Sequence, residues 1–515
     1  MNTNNETALG TMPVGKLLFQ LAVPTIAAQV INALYNMVDR IYIGRLPGGE
    51  GPLAIAGLGI AFPIIMIISA FASMIGMGGS PRVSIKMGQQ DHDGAEKILG
   101  NAVTALIALA VPLTLFFYLA KEPLLSMFGA TDNILPYAND YLGIYLLGSI
   151  FVMFSLGLNS FITCQGFART SMLTVLIGAL LNIVLDPIFI FIMGLGVKGS
   201  ALATVISQGV SAAWVLRFLT GKKTDLKIRR KNLRLEAKVL LPVIALGIAP
   251  FIMQSTESLV QITLNSGMKR YGGASADSLV SVTTIAISAM QFLSMPALGL
   301  AQGAQPIISF NYGSRNMDRV KKAFRLLFVI TVAYTLGIWA LSMAVPQIYI
   351  YLFSSGEAAR QLSVLGKPMI RIFMGGFLFI GAQYACQNTF MALGRAKISL
   401  VMALLRKIIL LIPLALFLPL FFGTTGIFAA EPIADILASA VTTGVFYFTS
   451  KNCFFRQYAC YIGFIHTFLF KIRLIFLAFR MGYISILFLR IFPENCNFIH
   501  FFVIYVTVRD FCQMI

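Results

Sequence analysis

The sequence predicts an all-α integral membrane protein with 12 transmembrane helices in two six-helix lobes related by an internal repeat. Three observations predict it. Of the 515 residues, 58% are hydrophobic and 11% charged, with a mean hydropathy of +0.83, far from the roughly 25% charge of a soluble domain. Apolar runs of about 20 residues, the length that crosses a bilayer core of about 30 Å, recur along the chain without the alternation of a barrel strand. Sequence offsets of 225 and 226 then relate the second half of these runs to the first.

The first six runs lie near 17–39, 53–75, 98–120, 134–162, 170–193 and 197–220. The residues ahead of them carry no basic region or small-residue cleavage site, so the first helix is expected to stay in the mature protein. A polar stretch follows, with eight Lys and Arg between Lys222 and Lys238, and then six more runs near 239–265, 278–305, 326–353, 368–393, 398–422 and 424–450. Basic residues gather in short cytoplasmic loops. The loops after the second (Arg82, Lys86, Lys97), sixth, eighth (Arg315, Arg319, Lys321) and tenth (Arg395, Lys397) runs are basic, which places both ends of the 12-helix core inside; Arg40 and Arg45 in the first loop run against this bias. The expected location is the cell (cytoplasmic) membrane.

The repeat appears when the chain is laid over itself. At an offset of 226, Pro24 meets Pro250, Asp39 meets Asn265, Arg169 meets Arg395 and Pro187 meets Pro413; at 225, Pro81 meets Pro306 and Gly88 meets Gly313. Six-helix copies share one orientation, as in transporters that rock one half against the other, although duplication for stability alone would leave the same trace. The domains expected are residues 1–220 (first lobe), 221–238 (basic cytoplasmic linker), 239–451 (second lobe) and 452–515. That last segment, crowded with Phe and holding Cys453, Cys460, Cys496 and Cys512, has no counterpart in the first half, and no function is expected there.

Several classes fall away. The basic residues form no stripe with interleaved aromatics, which argues against nucleic acid. Dispersed cysteines without CxxC spacing and three histidines without HExxH indicate neither a disulfide framework nor a local zinc site. The glycine-rich GMGGS (76–80) and GLAQGAQP (299–306) lack the Lys-Ser/Thr of a phosphate loop and read as close helix packing. No ATP site being visible, an ion gradient would drive transport, and no cofactor is expected beyond a coupling H+ or Na+.

Ionisable groups within apolar spans cost about 2.5–3.5 kcal/mol at mid-helix, so each is a functional candidate. In the first span Gln29, Asn32, Asn36 and Asp39 recur at helical spacing and form a polar stripe ending in a carboxylate, with Tyr35 one turn before it. The alternative is that Asp39 caps a helix end and pairs with Arg40. In the fifth span Asn182 and Asp186 are four apart and Pro187 removes a backbone donor beside the acid; a carboxylate there can take up a proton or cation, or simply stabilise a kink. The second half differs, since Asn182 and Asp186 fall on Ile408 and Ile412. It offers Glu257 with Gln254 and Gln261, and Glu431 with Asp435 one turn apart, as a second cation or substrate site or as interhelical hydrogen bonds. Met66, Met74, Met77, Met290 and Met295 would suit an adaptable cavity or ordinary core.

Over residues 10–450 the chain resembles the multidrug and toxic compound extrusion (MATE) family. The spacing of Pro24 and Asp39 with its echo at Pro250, the QGFAR and ALGR segments after the fourth and tenth spans, and N-x-x-x-D-P in the fifth carry the resemblance. It implies a monomeric antiporter, not an enzyme, that exports lipophilic organic cations against protons or sodium ions. It further implies a coupling-ion site of Asp39, Tyr35, Asn182, Asp186 and Thr204, with Glu257 matching an acidic second-lobe position. The carboxylate that some members carry in the tenth span is missing, since 368–393 holds no Asp or Glu. The alternative within the superfamily is a lipid-linked saccharide flippase, which needs intramembrane bases; Arg371 and Arg406 are the candidates. An integral-membrane transferase would need paired aspartates or an intramembrane histidine.

Overall fold

The computed structural model describes residues 5–353 and 356–451; the expectation for 452–515 lies outside them. Every regular element among the described residues is helical, as it must be where no water is present to satisfy a free backbone group. In order they are α1 (Asn5–Thr11), α2 (Val14–Gly44), α3 (Gly51–Gly88), α4 (His92–Met127), α5 (Leu135–Leu147), α6 (Ser149–Cys164), α7 (Ala168–Pro187), α8 (Gly196–Thr220) and α9 (Ala237–Ser255). The remainder are α10 (Glu257–Tyr271), α11 (Ala276–Gly313), α12 (Met317–Ala344), α13 (Gln347–Phe353), α14 (Gly356–Phe373), α15 (Phe377–Ala392), α16 (Ala396–Leu404), α17 (Ile412–Phe417) and α18 (Pro419–Lys451). Eleven described helices or helix runs are long and apolar enough to cross a membrane, and the bent pair α5–α6 supplies the twelfth. Large apolar side chains such as Phe19, Leu119 and Val364 stand more than two-thirds exposed, which in a multi-pass membrane protein is the surface offered to lipid.

Several of the spans are not the plain helices that their apolar runs suggest. The run 134–162 bends by 59° between Leu147 and Ser149, at Gly148, where a Cβ would run into the Val205 side chain of α8. The run 239–265 breaks at Thr256, whose hydroxyl donates back to the Ile252 carbonyl at 2.6 Å.

The described residues divide into two compact units. Unit 1 comprises the chain up to Ser258 with Leu298–Phe324 and Asn388–Val401; unit 2 comprises Leu259–Ala297, Arg325–Gln387 and the chain from Met402. In unit 1 the glycine-rich motifs are contact points, because without Cβ two helix backbones can touch. A Cβ at Gly78 would collide with the Val243 carbonyl of α9, and one at Gly303 with Ala22 of α2. Another approach is reciprocal: a Cβ at Gly88 would strike the Phe310 carbonyl, and one at Gly313 would strike the Ile85 carbonyl. Ile85 and Phe310, like Gly88 and Gly313, are partners at the offset of 225, so the ends of α3 and α11 clasp each other by the same atoms from both sides. Gln90 and Arg315, the next pair at that offset, both turn the chain with φ of 60°.

Helix α1 lies across this clasp within unit 1. The buried Asn311 amide donates to the Leu9 carbonyl at 3.0 Å, and Arg319 Nη2 donates to the carbonyls of Leu9 at 3.1 Å and Met12 at 2.8 Å. A guanidinium on the last carbonyls of a helix satisfies its orphan acceptors and opposes its dipole. The basic linker is fixed on the same unit: the buried Gln165 side-chain oxygen accepts from Thr224 Oγ1 at 2.8 Å and from the Leu226 amide at 2.9 Å, Asn101 Oδ1 accepts from the Glu236 amide at 2.7 Å, and Arg229 pairs with Glu96 at 2.6 Å.

Candidate ion and substrate site

The carboxylate of α7 is set in place by a local widening of the helix. Pro187 cannot donate a backbone hydrogen bond, and the chain beyond it runs as a π turn over Ile188–Ile192, with the Met193 amide reaching the Ile188 carbonyl at 2.8 Å. Gly194 and Gly196, at φ of 65° and 55°, then reverse the chain into α8. Gly199 lies against the backbone of Phe189 so closely that a side chain there would clash. This contact brings the stripe Ser200, Thr204 and Gln208, four residues apart on one face of α8, up to the acids of α2 and α7.

Asp39 and Asp186 are buried, 8% and 0% exposed, and their carboxyl groups are within hydrogen-bonding reach of one another. Ser200 Oγ donates to Asp39 Oδ1 at 2.6 Å, and the Asn182 amide lies 3.4 Å from both Asp186 Oδ1 and Thr204 Oγ1. Asp186 Oδ2 is buried without a donor. Tyr35 and Tyr141 lie near enough to feel the charge of Asp39, and the Tyr141 and Tyr145 rings stack at 6.2 Å. The ion pairs of the described residues include neither carboxylate. Arg40, the alternative partner of Asp39, instead holds its guanidinium 5.5 Å from the centre of the Phe62 ring.

Two carboxylates at hydrogen-bonding distance, both charged, repel by about 5 kcal/mol even at an effective dielectric near 20. A hydrogen bond between them requires that one carry a proton. With hydroxyl and amide groups as its hydrogen-bond partners and Arg40 acting only through its charge, the pair relieves its repulsion by taking up a proton or a small monovalent cation. Among the described residues no group of three His, Cys, Asp or Glu is arranged for a metal ion.

The sequence stripe on α2 divides. Tyr35 and Asp39 join the acid pair, while Gln29 and Asn32 line a separate cavity of about 200 Å³ in unit 1 with Ser80, Asn159, Gln302 and Gln305. Gln29 donates to Gln302 Oε1 across it at 2.9 Å. No acidic or basic side chain is among the lining residues, so the cavity is polar without charge. Asn36 is exposed and donates to the Asn32 carbonyl at 2.6 Å. Of the methionines, Met77 lines the cavity.

Gln254 stands at the end of α9, while Glu257 opens α10 and Gln261 follows one turn later; none of the three lines this cavity. Glu431 and Asp435 take the interhelical alternative. In unit 2 they surround Arg406, whose Nη2 lies 2.7 Å from Asp435 Oδ1 and 3.5 Å from Glu431 Oε1. Lys407, absent from the intramembrane bases counted in the sequence, is buried beside it. Ser200, Gln208, Tyr141 and Tyr145 were also missed. The four-residue periodicity of Ser200, Thr204 and Gln208, and the i,i+4 tyrosines, were the available signals.

The family model MatE matches residues 24–188 and 236–417, one segment in each half of the repeat. The Multidrug export protein MepA of Staphylococcus haemolyticus is 24% identical over 433 residues, covering 84% of this chain and 93% of that relative. A solved structure described as the outward-facing conformation of a multidrug resistance MATE family transporter superimposes with a TM-score of 0.80 at 25% identity, over 88% of this chain and 99% of that one. A MOP superfamily transporter from Pyrococcus furiosus, described as having a binding pocket of reverse polarity, shares the fold at 0.80 and 24% identity, over 87% and 98% of the two chains.

Proposed function

The chain belongs to the MatE family, and from that premise we propose that it is a multidrug exporter that moves lipophilic organic cations out across the cytoplasmic membrane in exchange for protons or sodium ions. The observation that carries this reading is the Asp39–Asp186 pair, buried with hydroxyl and amide partners and no base. Loading the pair with an ion joins α2 to α7 through the shared charge; unloading it leaves two acids that must separate or attract a cation. If drug binding and ion loading draw on the same helices, each alters the affinity for the other by the same factor.

Tyr35, Asn182 and Thr204 position the acids, and Gln29 and Asn32 offer hydrogen bonds to the uncharged parts of a substrate. The protein works as a monomer, without nucleic acid or an organic cofactor, and both ends of its helical core face the cytoplasm. Residues 452–515 take no part, so truncation after Lys451 should leave insertion and efflux intact. A lipid-linked saccharide flippase is disfavoured because its anionic cargo needs available bases: Arg406 is occupied by two acids, Lys407 is buried beside it, and Arg371 donates to the Met343 carbonyl at 2.9 Å.

The test is ethidium efflux from everted vesicles with proton and sodium gradients imposed separately. Efflux should follow one of the two gradients and survive ATP depletion while that gradient is clamped. Equal transport of an anionic dye would sink the cation assignment.

A further inference from the structure

The backbone extends the repeat to a place where side-chain chemistry hides it. Gly196 and Gly423 both adopt φ of 55°, the latter breaking α18 near its start, and Gly199 and Gly426 are each pressed against backbone upstream of that glycine, Phe189–Ile190 in one case and Leu418–Pro419 in the other. These two pairs fix the offset of α18 against α8 at 227. At that offset Thr204 corresponds to Glu431, and Gln208 corresponds to Asp435. Thr204 and Gln208 stand one contact from the acid pair of unit 1, through Asn182 and Tyr35, so the two acids of unit 2 stand beside the equivalent site.

What differs is the counter-charge. Arg406 is carried on a π-helical stretch, Leu405–Leu411, in the helix that matches α7. Its Nε and Nη2 both lie 2.7 Å from Asp435 Oδ1, with the side chains of Arg406, Glu431 and Asp435 respectively 7%, 5% and 1% exposed. Lys407 on the same stretch and Tyr384 on α15 complete the ionisable surroundings. A guanidinium stays protonated and, tethered to its helix, cannot leave.

We infer that Arg406 is a resident cation: it fills in unit 2 the place that the exchanged ion takes between Asp39 and Asp186 in unit 1, and so leaves no exchangeable-ion site at that position of the second copy. This rests on the antiport reading for its consequence, the ion stoichiometry, but the occupancy itself can be read without drug or gradient. Removing one partner of a buried ion cluster leaves an uncompensated charge, whereas replacing the whole cluster by neutral groups is often tolerated.

The experiment counts ions on the full-length chain in nanodiscs, by radiosodium binding and by proton uptake after an acid pulse. Arg406→Met, and the milder Arg406→Met with Glu431→Gln, should each bind about one more proton or sodium ion than the unmodified protein. Their thermal stability should rise on acidification or sodium addition, which a cluster with a purely structural role would not show. Adding Asp435→Asn to the double variant should return both readouts to the unmodified pattern. A folded Arg406→Met or double variant that gains no ion overturns the inference, as does a neutral triple variant that keeps an extra ion. Should neither charged variant fold at pH 8 in potassium buffer, folding restored by sodium or at pH 6 supports it, and folding restored by neither overturns it. An unmodified protein that exchanges no ion with drug would refute the antiport reading and leave the ion counts standing.

Discussion

At the ends of α3 and α11 the two copies of the repeat have kept one contact, Gly88 on the Phe310 carbonyl and Gly313 on the Ile85 carbonyl. At the buried acids they have parted: Asp39 and Asp186 are held by Ser200 and Asn182, while Glu431 and Asp435 are held by Arg406. The clasp is made of backbone, and its two halves are interchangeable because the same atoms act from each side. The acid sites are made of side chains, and a single guanidinium turns one from a place that must recruit a cation into a place that already holds one. The repeat therefore keeps its packing symmetric while its electrostatics respond in one half alone.

The largest expected effect comes from breaking the responsive half. Asp186→Asn and Asp39→Asn should each insert normally but reduce gradient-driven ethidium efflux to background, and the double substitution should be no worse than either single, because residues acting as one unit are not additive. Efflux surviving in both would remove the asymmetry. Breaking the symmetric half is the second test. Gly88→Val and Gly313→Val force a branched side chain against a carbonyl, an overpacking cost of about 1–3 kcal/mol; both should lower thermal stability and efflux, and by similar amounts, since their surroundings match. A large difference between them in a thermal-shift assay would show that the clasp is not two-sided.

A smaller effect probes how finely the acid pair is held. Ser200→Ala removes a hydroxyl donor to Asp39, a hydrogen bond to a charged group worth about 1.5–3 kcal/mol, and efflux should fall by about tenfold rather than vanish. Ser200→Thr, which keeps the hydroxyl, should recover most of it.

The smallest effect lies outside the spans. Burial pushes the Asp225 carboxyl up to about 6, helped by the neighbouring Glu6 carboxylate and opposed by His92. A raised folded-state value means that the docked linker binds the proton more tightly than the free one. Its contribution is therefore full below about pH 4 and is lost as pH rises through about 6. Hydrogen exchange in 223–227, corrected for intrinsic rates, should slow on going from about pH 7.5 to 5, and Asp225→Asn should flatten the change.

The spans and the acid pair were legible because both break a strong rule: long apolar runs are rare in soluble chains, and carboxylates are rare in apolar runs. Asp39 and Asp186 needed no partner to stand out. Ser200 did, since a serine in such a helix ordinarily bonds its own backbone and nothing local tells which way it faces. Arg406 and its acids were visible singly, but their pairing spans two helices and depends on rotation about each axis, which the π stretch at Leu405–Leu411 shifts. The bend at Gly148 was hidden for a related reason: it answers to Val205, 57 residues away in sequence. Gly196 and Gly423 show the converse case, a correspondence plain in φ and faint in residue identity.

The reciprocal glycine contact has a genetic reading. Every missense change reachable by one base from a glycine codon enlarges the side chain, and at Gly88 and Gly313 the space for even a methyl group is already taken by a carbonyl oxygen. In a library of random variants selected for growth on ethidium, these two codons should be depleted of every substitution, Ala and Ser included. The codons of Phe19, Leu119 and Val364, whose side chains are more than two-thirds exposed, should drift freely among apolar residues. Two silent codons, spaced as the repeat spaces them, would then locate the clasp in a map drawn without a structure.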